Sequence, residues 1–121
     1  MQGILEVRLG LRPDRVPLWL VKDRWQRDIV LYEDTWFDHI LSGHDDLRNH
    51  EAAVAKVLEK PYRVMYDAIQ ESRECFYAQI LSDFPGVLVK VCVEFLSDRD
   101  GLVVSAFLTS SIRAEEVQRW P

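Results

Sequence analysis

Residues 87–96 alternate between apolar and mixed side chains, and this segment constrains the fold more than any other. Every second position from Val87 to Phe95 is a valine or the phenylalanine, whereas Lys90 and Glu94 occupy positions between them. A period of two is typical of a β-strand with one buried face. We expect the valine face to pack on helices, which turns Lys90 and Glu94 to the opposite face.

The segments around this strand predict an antiparallel sheet of four strands, because polar, turn-rich links separate them. The four strand candidates are residues 62–66, 74–81, 87–96 and 102–110. The pairing of the last two depends on the loop between them, since a shift of one residue turns side chains to the other face. Only a four-residue loop of 98–101 sets Thr109 directly across from Lys90, and Ser105 then shares the same face.

Two short helices precede this sheet. Asp34 is a suitable N-cap for a helix over residues 36–42, which Gly43 is expected to close in the left-handed conformation. Asn49 is the predicted cap of a second helix, which ends before Pro61.

The first helix carries a histidine on its predicted buried face. Trp36, His39 and Ile40 are spaced i, i+3 and i+4, so we expect His39 to point inward beside the indole. His44 follows the helix, where the negative end of the helix dipole favours its protonated form.

Further elements are predicted in the N-terminal and C-terminal segments. Alternation from Leu5 to Leu11 predicts one strand, residues 16–21 and 29–32 predict two more, and residues 114–119 predict a turn of helix. The fold class that follows is α+β, with N-terminal strands and two short helices packed on a C-terminal four-stranded antiparallel sheet. At 121 residues the chain is expected to form a single domain, residues 1–121.

Composition limits the function classes. The longest uninterrupted apolar run, residues 16–21, is far too short to span a membrane, and the N-terminus does not resemble a signal peptide. We therefore expect a cytoplasmic protein without membrane partners. The net charge of −5 argues against non-specific nucleic-acid binding, which requires a basic surface. Composition leaves the oligomeric state open.

The polar face of the predicted sheet has the chemistry for RNA cleavage without a metal. A histidine can take a proton from a 2′-hydroxyl or give one to the leaving oxygen. The Lys90 ammonium and the hydroxyls of Ser105 and Thr109 can stabilise a negatively charged phosphorane. These residues, approached by His39 or His44, are the candidate catalytic set, although each also has an ordinary structural interpretation.

The sequence predicts neither a metal site nor a cofactor site. His39, His44 and His50 are spaced unlike the ligands of known zinc motifs. Cys75 and Cys92 lack a CxxC context, so we interpret them as reduced thiols that fill the core or a sheet face.

Several segments of the sequence together resemble a known fold group. They are Trp36-x-x-His39-Ile40-Leu41-x-x-His44-Asp45-x-Leu47, a helix ending near Pro61, the strand 88–93 and the segment 103–107. This pattern looks like small phage-associated members of the barnase/EndoU/colicin/RelE-like (BECR) nuclease fold. The resemblance covers roughly residues 25–115. Asp45-Asp46 replaces the Pro-Glu of the pattern, and Ser105 stands where threonine is common.

The resemblance implies a toxin-type RNA endonuclease with a core of residues 25–115. It implies an active site of His39 or His44, Lys90, and Ser105 or Thr109. RNA, with tRNA as one candidate, and an antitoxin or immunity protein are the implied partners. Whether residues 1–24 extend this core or belong to it stays open. The alternative is a non-catalytic acidic interaction protein, such as an antitoxin, immunity protein or phage accessory protein.

Overall fold

A seven-stranded mixed sheet forms the centre of the molecule in the computed structural model, which describes residues 14–121. The strands are β1 (Pro17–Lys22), β2 (Asp28–Tyr32), β3 (Arg63–Tyr66), β4 (Arg73–Ala78), β5 (Leu88–Phe95), β6 (Asp100–Thr109) and β7 (Val117–Trp120). Their order across the sheet is β1-β2-β6-β5-β4-β3-β7. The four consecutive strands β3 to β6 pair antiparallel, as the alternation and turns predicted.

The α+β class is confirmed, but the sheet is larger than the predicted four strands. β2 pairs in parallel with β6, and β1 forms a hairpin with β2, so the N-terminal strands extend the sheet on one side. On the other side β7 pairs with β3, with Val117 across from Tyr66. The helical turn predicted over residues 114–119 is therefore wrong, because the free edge of β3 supplies hydrogen-bond partners for an extended chain. The strand predicted from Leu5 to Leu11 lies outside the described residues.

Three short helices connect β2 to β3: α1 (Thr35–Ile40), which has π-helical hydrogen bonding, α2 (Leu41–Gly43) and α3 (Glu51–Glu59). A single 3-10 turn, Asp45–Leu47, lies between α2 and α3. Asp34 caps α1 as predicted, since its carboxylate accepts a hydrogen bond from the Thr35 backbone N–H at 2.9 Å.

Two of the predicted helix ends differ from the structure. Gly43 does not take a positive φ and is the last residue of α2, which ends when His44 turns to φ −139°. The N-cap of α3 is His50 rather than Asn49, and Asn49 itself adopts φ +68°. The left-handed residue is thus Asn49, just before α3, where the chain changes direction after the 3-10 turn. Asparagine suits this position because it tolerates a positive φ better than most residues.

The valine face of β5 packs against the helices, as expected. Val89, Val91 and Val93 are fully buried there. The other members of this core include Trp36, Ile40, Val54, Val57, Leu58 and Phe76. A smaller apolar cluster lies apart from this core and is formed by Met65, Cys75 and Tyr77, with Leu88, Cys92 and Ile112 against it. Within residues 14–121, none of the helices has the length and apolar character that a membrane span requires.

Two glycines offer a matched test of this packing. A Cβ at Gly101 would lie 2.7 Å from Val93 Cγ1 and 3.0 Å from the Phe95 ring, whereas a Cβ at Gly43 meets nothing within 4 Å. We expect Gly101→Ala to lower the free energy of unfolding by about 1–3 kcal/mol through overpacking. Gly43→Ala should raise it by roughly 0.5–1 kcal/mol, because alanine favours the helix. Urea denaturation measures both, and an equal effect of the two changes would contradict the packing at Gly101.

Candidate functional site

The side of β5 that faces away from the valines positions the candidate site. Lys90 lies on this side, as its place in the alternation predicted, but it is only 7% exposed rather than open to solvent. The chain that follows β6 covers this part of the sheet and brings Glu116 against Lys90. The candidate lysine is therefore a buried charge with a dedicated partner.

Lys90, Glu116 and Tyr77 form a buried polar triad. Lys90 Nζ donates a hydrogen bond to Glu116 Oε2 at 2.6 Å, and the Tyr77 hydroxyl donates to Glu116 Oε1 at 2.5 Å. The Glu116 side chain is fully buried. Both carboxylate oxygens are thus engaged. Sequence reasoning missed Glu116 and Tyr77, since neither belongs to a motif and only the return of the chain toward β7 brings them to Lys90.

Burial and the contacts within the triad shift the pKa values of Lys90 and Tyr77. Burial disfavours the Lys90 ammonium, but its hydrogen bonds to Glu116 and Tyr77 outweigh this, so the pKa of Lys90 lies above its ordinary value. Burial and the carboxylate of Glu116 both raise the pKa of the Tyr77 hydroxyl. Lys90 is therefore a permanent cation and Tyr77 a permanent donor at neutral pH.

The register between β5 and β6 differs from the predicted one. Lys90 pairs with Phe107, whereas Thr109 pairs with Leu88, so Thr109 is not directly across from Lys90. The reason is a tight turn in which the Ser97 hydroxyl accepts hydrogen bonds from the backbone N–H groups of Arg99 and Asp100, which starts β6 earlier.

A β-bulge nevertheless keeps the predicted hydroxyls on the face of Lys90. The register shifts by one residue between Cys92 and Val93, and from there Ser105, Phe107 and Thr109 pair with residues on the polar side of β5. Without this extra residue the opposite set of β6 side chains would face Lys90, because successive side chains alternate between faces.

A cavity of about 320 Å³ opens beside Lys90 on this face. Its lining residues are Tyr77, Lys90, Phe107, Thr109, Ser111 and Arg113. Lys90 Nζ lies 5.5 Å from the centroid of the Phe107 ring, and the His44 imidazole stacks on the same ring with centroids 5.2 Å apart. The Phe107 ring thus contacts both the Lys90 ammonium and the His44 imidazole. The ring lines the cavity with the Thr109 hydroxyl and the Arg113 guanidinium, whereas His44 is not among the lining residues.

Three of the predicted site residues, His39, His44 and Ser105, are not among the residues that line this cavity. His39 is exposed, so its predicted inward orientation is wrong, while Trp36 and Ile40 are buried as expected. The i, i+3, i+4 rule fails because α1 is π-helical, and its i→i+5 hydrogen bonds rotate side chains differently from those of an α-helix. Ser105 is half-buried opposite Cys92 and does not line the cavity.

One group in the described residues 14–121 has three donor atoms close enough to hold a metal ion. Atoms of Asp67, Cys75 and Glu116 lie within 4.8 Å of one another. Hydrogen bonding to Cys92 and burial raise the pKa of the Cys75 thiol, which disfavours the thiolate that a metal needs. Because Lys90 and Tyr77 already occupy both Glu116 oxygens, the ammonium of Lys90 takes the place of a bound cation.

Family models, curated proteins and solved structures were compared with this chain, and none of them matches it. The fold and the site define an α+β protein with a buried ion pair beneath a small polar cavity.

Proposed function

We propose that the cavity beside Lys90 is the active site of a metal-independent RNA endonuclease of toxin type. The observation that carries this proposal is the contact of both the His44 imidazole and the Lys90 ammonium with the Phe107 ring. An imidazole and a fixed cation that share one ring at the border of the cavity are the groups that cleavage by 2′-hydroxyl attack requires.

In this mechanism His44 takes the proton from the 2′-hydroxyl as its oxygen attacks the adjacent phosphorus. The P–O5′ bond then breaks, and the 5′-oxygen leaves with a proton returned by the imidazolium. The Lys90 ammonium, with hydrogen bonds from Thr109 and Arg113, stabilises the additional negative charge on the phosphorane oxygens. The products are a 2′,3′-cyclic phosphate and a free 5′-hydroxyl.

The electrostatics of the cavity set how it would hold RNA. Glu116 compensates the charge of Lys90, so the cavity gains most of its net attraction for phosphate from Arg113. The Arg113 side chain is about half exposed and pairs with Glu115 at 3.2 Å, an ion pair that water screens and a phosphate can displace. With an overall charge of −5, recognition would depend on this cavity rather than on a basic surface.

Two of the predicted site residues, His39 and Ser105, are not catalytic residues in this proposal. His39 is exposed on α1 and, unlike His44, does not stack on Phe107, and Ser105 lies outside the cavity lining. The proposed setting is the cytoplasm, the proposed substrate is RNA, with tRNA as one candidate, and an antitoxin or immunity protein is the proposed neutralising partner.

The test uses the purified chain with total RNA or tRNA in the presence of EDTA. We expect cleavage that EDTA does not inhibit, 2′,3′-cyclic phosphate ends, and no cleavage of DNA of the same sequence, because DNA lacks the attacking hydroxyl. Arg113→Gln should raise KM more than it lowers kcat, since Arg113 is the exposed phosphate contact. Intact RNA after prolonged incubation, or 3′-hydroxyl products, would contradict the proposal.

A second candidate function is a non-catalytic acidic binding protein. The observation that favours it is the complete pairing of Lys90 with Glu116, which leaves the strand without a free cation, together with the net charge of −5. Such a protein is expected to leave growth unaffected when it is expressed, with no difference between the native chain and Arg113→Gln. Growth arrest by the native chain alone would favour the nuclease.

A further inference from the structure

The two cysteines of the chain face each other across the sheet. Cys75 on β4 and Cys92 on β5 are direct antiparallel partners, and both are free thiols. Both belong to the smaller apolar cluster with Met65 and Tyr77. Sequence spacing did not predict this pairing, because the two residues are separated by a hairpin and have no CxxC motif.

The pair has the geometry of a disulfide precursor. Cα atoms of directly opposed antiparallel residues lie about 4.5–5.5 Å apart. Disulfides span Cα distances of about 4.4–6.8 Å. A bond between Cys75 and Cys92 therefore requires side-chain rotation and little movement of the backbone.

The surroundings of the two sulfur atoms are not equivalent. Cys75 is fully buried, and its Sγ lies 3.6 Å from Asp67 Oδ1, whereas Cys92 is half-buried and so within reach of a small reagent. Lys90, two residues before Cys92 on the same strand, places its buried ammonium on the same side of the sheet. A fixed positive charge beside an accessible sulfur favours the thiolate, and the Glu116 carboxylate that pairs with Lys90 offsets part of this effect.

The protonation of the thiols follows this arrangement. The neighbouring Cys75 thiol and the charge of Lys90 lower the pKa of Cys92, although burial and the carboxylates of Glu116 and Asp67 act in the opposite direction. The neighbouring Cys92 and burial raise the pKa of Cys75. The more accessible Cys92 is thus the nucleophile of the pair, and the buried Cys75 is the resolving thiol.

We propose that Cys92 and Cys75 form an oxidisable thiol pair whose substrate is a small hydroperoxide, a site separate from the nuclease chemistry proposed above. The Cys92 thiolate attacks the distal peroxide oxygen, the O–O bond breaks, and the leaving alkoxide or hydroxide takes up a proton. Cys92 becomes a sulfenic acid. The Cys75 sulfur then attacks Cys92 Sγ, which forms the disulfide and releases water, so that the peroxide is reduced and the two thiols are oxidised.

The chain offers a direct readout of this bond. Trypsin cleaves after Arg73, Lys90 and Arg99, so Cys75 and Cys92 fall in separate peptides, residues 74–90 and 91–99. After treatment of the folded native protein with hydrogen peroxide and capping of residual thiols, we expect these two peptides to be joined. A thiol reductant should separate them again. Absence of the joined peptides while Cys92 oxidises further to sulfinic acid would overturn the proposal.

Alkylation rates test the assignment of roles. In the folded protein at neutral pH, iodoacetamide should modify Cys92 at least about tenfold faster than Cys75, a ratio that one unit of pKa difference already produces. The difference should disappear in urea. Cys92→Ser should leave Cys75 unoxidised by peroxide, whereas Cys75→Ser should leave Cys92 reactive but without the joined peptides. Equal alkylation rates in the folded protein, or oxidation of Cys75 in Cys92→Ser, would reverse or abolish the assignment.

Discussion

Glu116→Ala is expected to lower the free energy of unfolding by about 3–5 kcal/mol, the range found when one partner of a buried ion pair is removed. The change leaves the Lys90 ammonium, which is 7% exposed, without its carboxylate, and it also removes the acceptor of the Tyr77 hydroxyl. Most of the loss comes from the uncompensated buried charge rather than from the pair itself. Urea denaturation followed by circular dichroism measures it.

The neighbouring residue provides the control. Glu115 is exposed, and its ion pair with Arg113 at 3.2 Å is screened by water, so Glu115→Ala should stay within about 0.5 kcal/mol of the native protein. The double change Lys90→Met and Glu116→Leu should recover most of the stability that Glu116→Ala loses, because it removes both buried charges together. A loss below about 1 kcal/mol for Glu116→Ala would mean that water already reaches Lys90.

His44→Gln is expected to lower kcat for RNA cleavage by about 10²- to 10⁴-fold, the usual contribution of a general acid or base. Glutamine retains a planar polar group that can pack on Phe107 but cannot exchange a proton near neutral pH. The proposal assigns both proton transfers to His44, so KM should change much less than kcat. Initial rates on a short RNA, measured over a range of substrate concentrations, separate the two constants.

His39→Gln is the matched control for that experiment, because His39 is exposed on α1 and, unlike His44, does not stack on Phe107. We expect its kcat and KM to equal those of the native chain. Thermal unfolding of both variants shows whether either change acts through stability. Equal activity of the His44→Gln and native proteins would exclude His44 as the proton-transfer group, whereas no cleavage by either protein would favour the binding-protein alternative.

Local pattern predicted much of the scaffold. The alternation around Val89 and Val91 placed a half-buried strand correctly, and a second helix ends before Pro61 as predicted. Prediction from local pattern failed where the backbone departs from a regular α-helix or a regular strand pairing. The π-helical winding of α1 exposed His39. The tight turn before β6 moved Thr109 out of register with Lys90, and the bulge at Cys92 and Val93 kept it on the same face.

The amino-acid sequence alone determined the α+β class, the four-strand meander and the side of β5 that carries Lys90, because these depend on periodicities within one segment. Only the tertiary structure decided the chemistry around that lysine. Glu116 and Tyr77 reach Lys90, and Cys75 faces Cys92, through strand pairing and chain return between distant segments. Burial then sets the charge of these groups, since desolvation and nearby charges act on a side chain only where the folded chain places it.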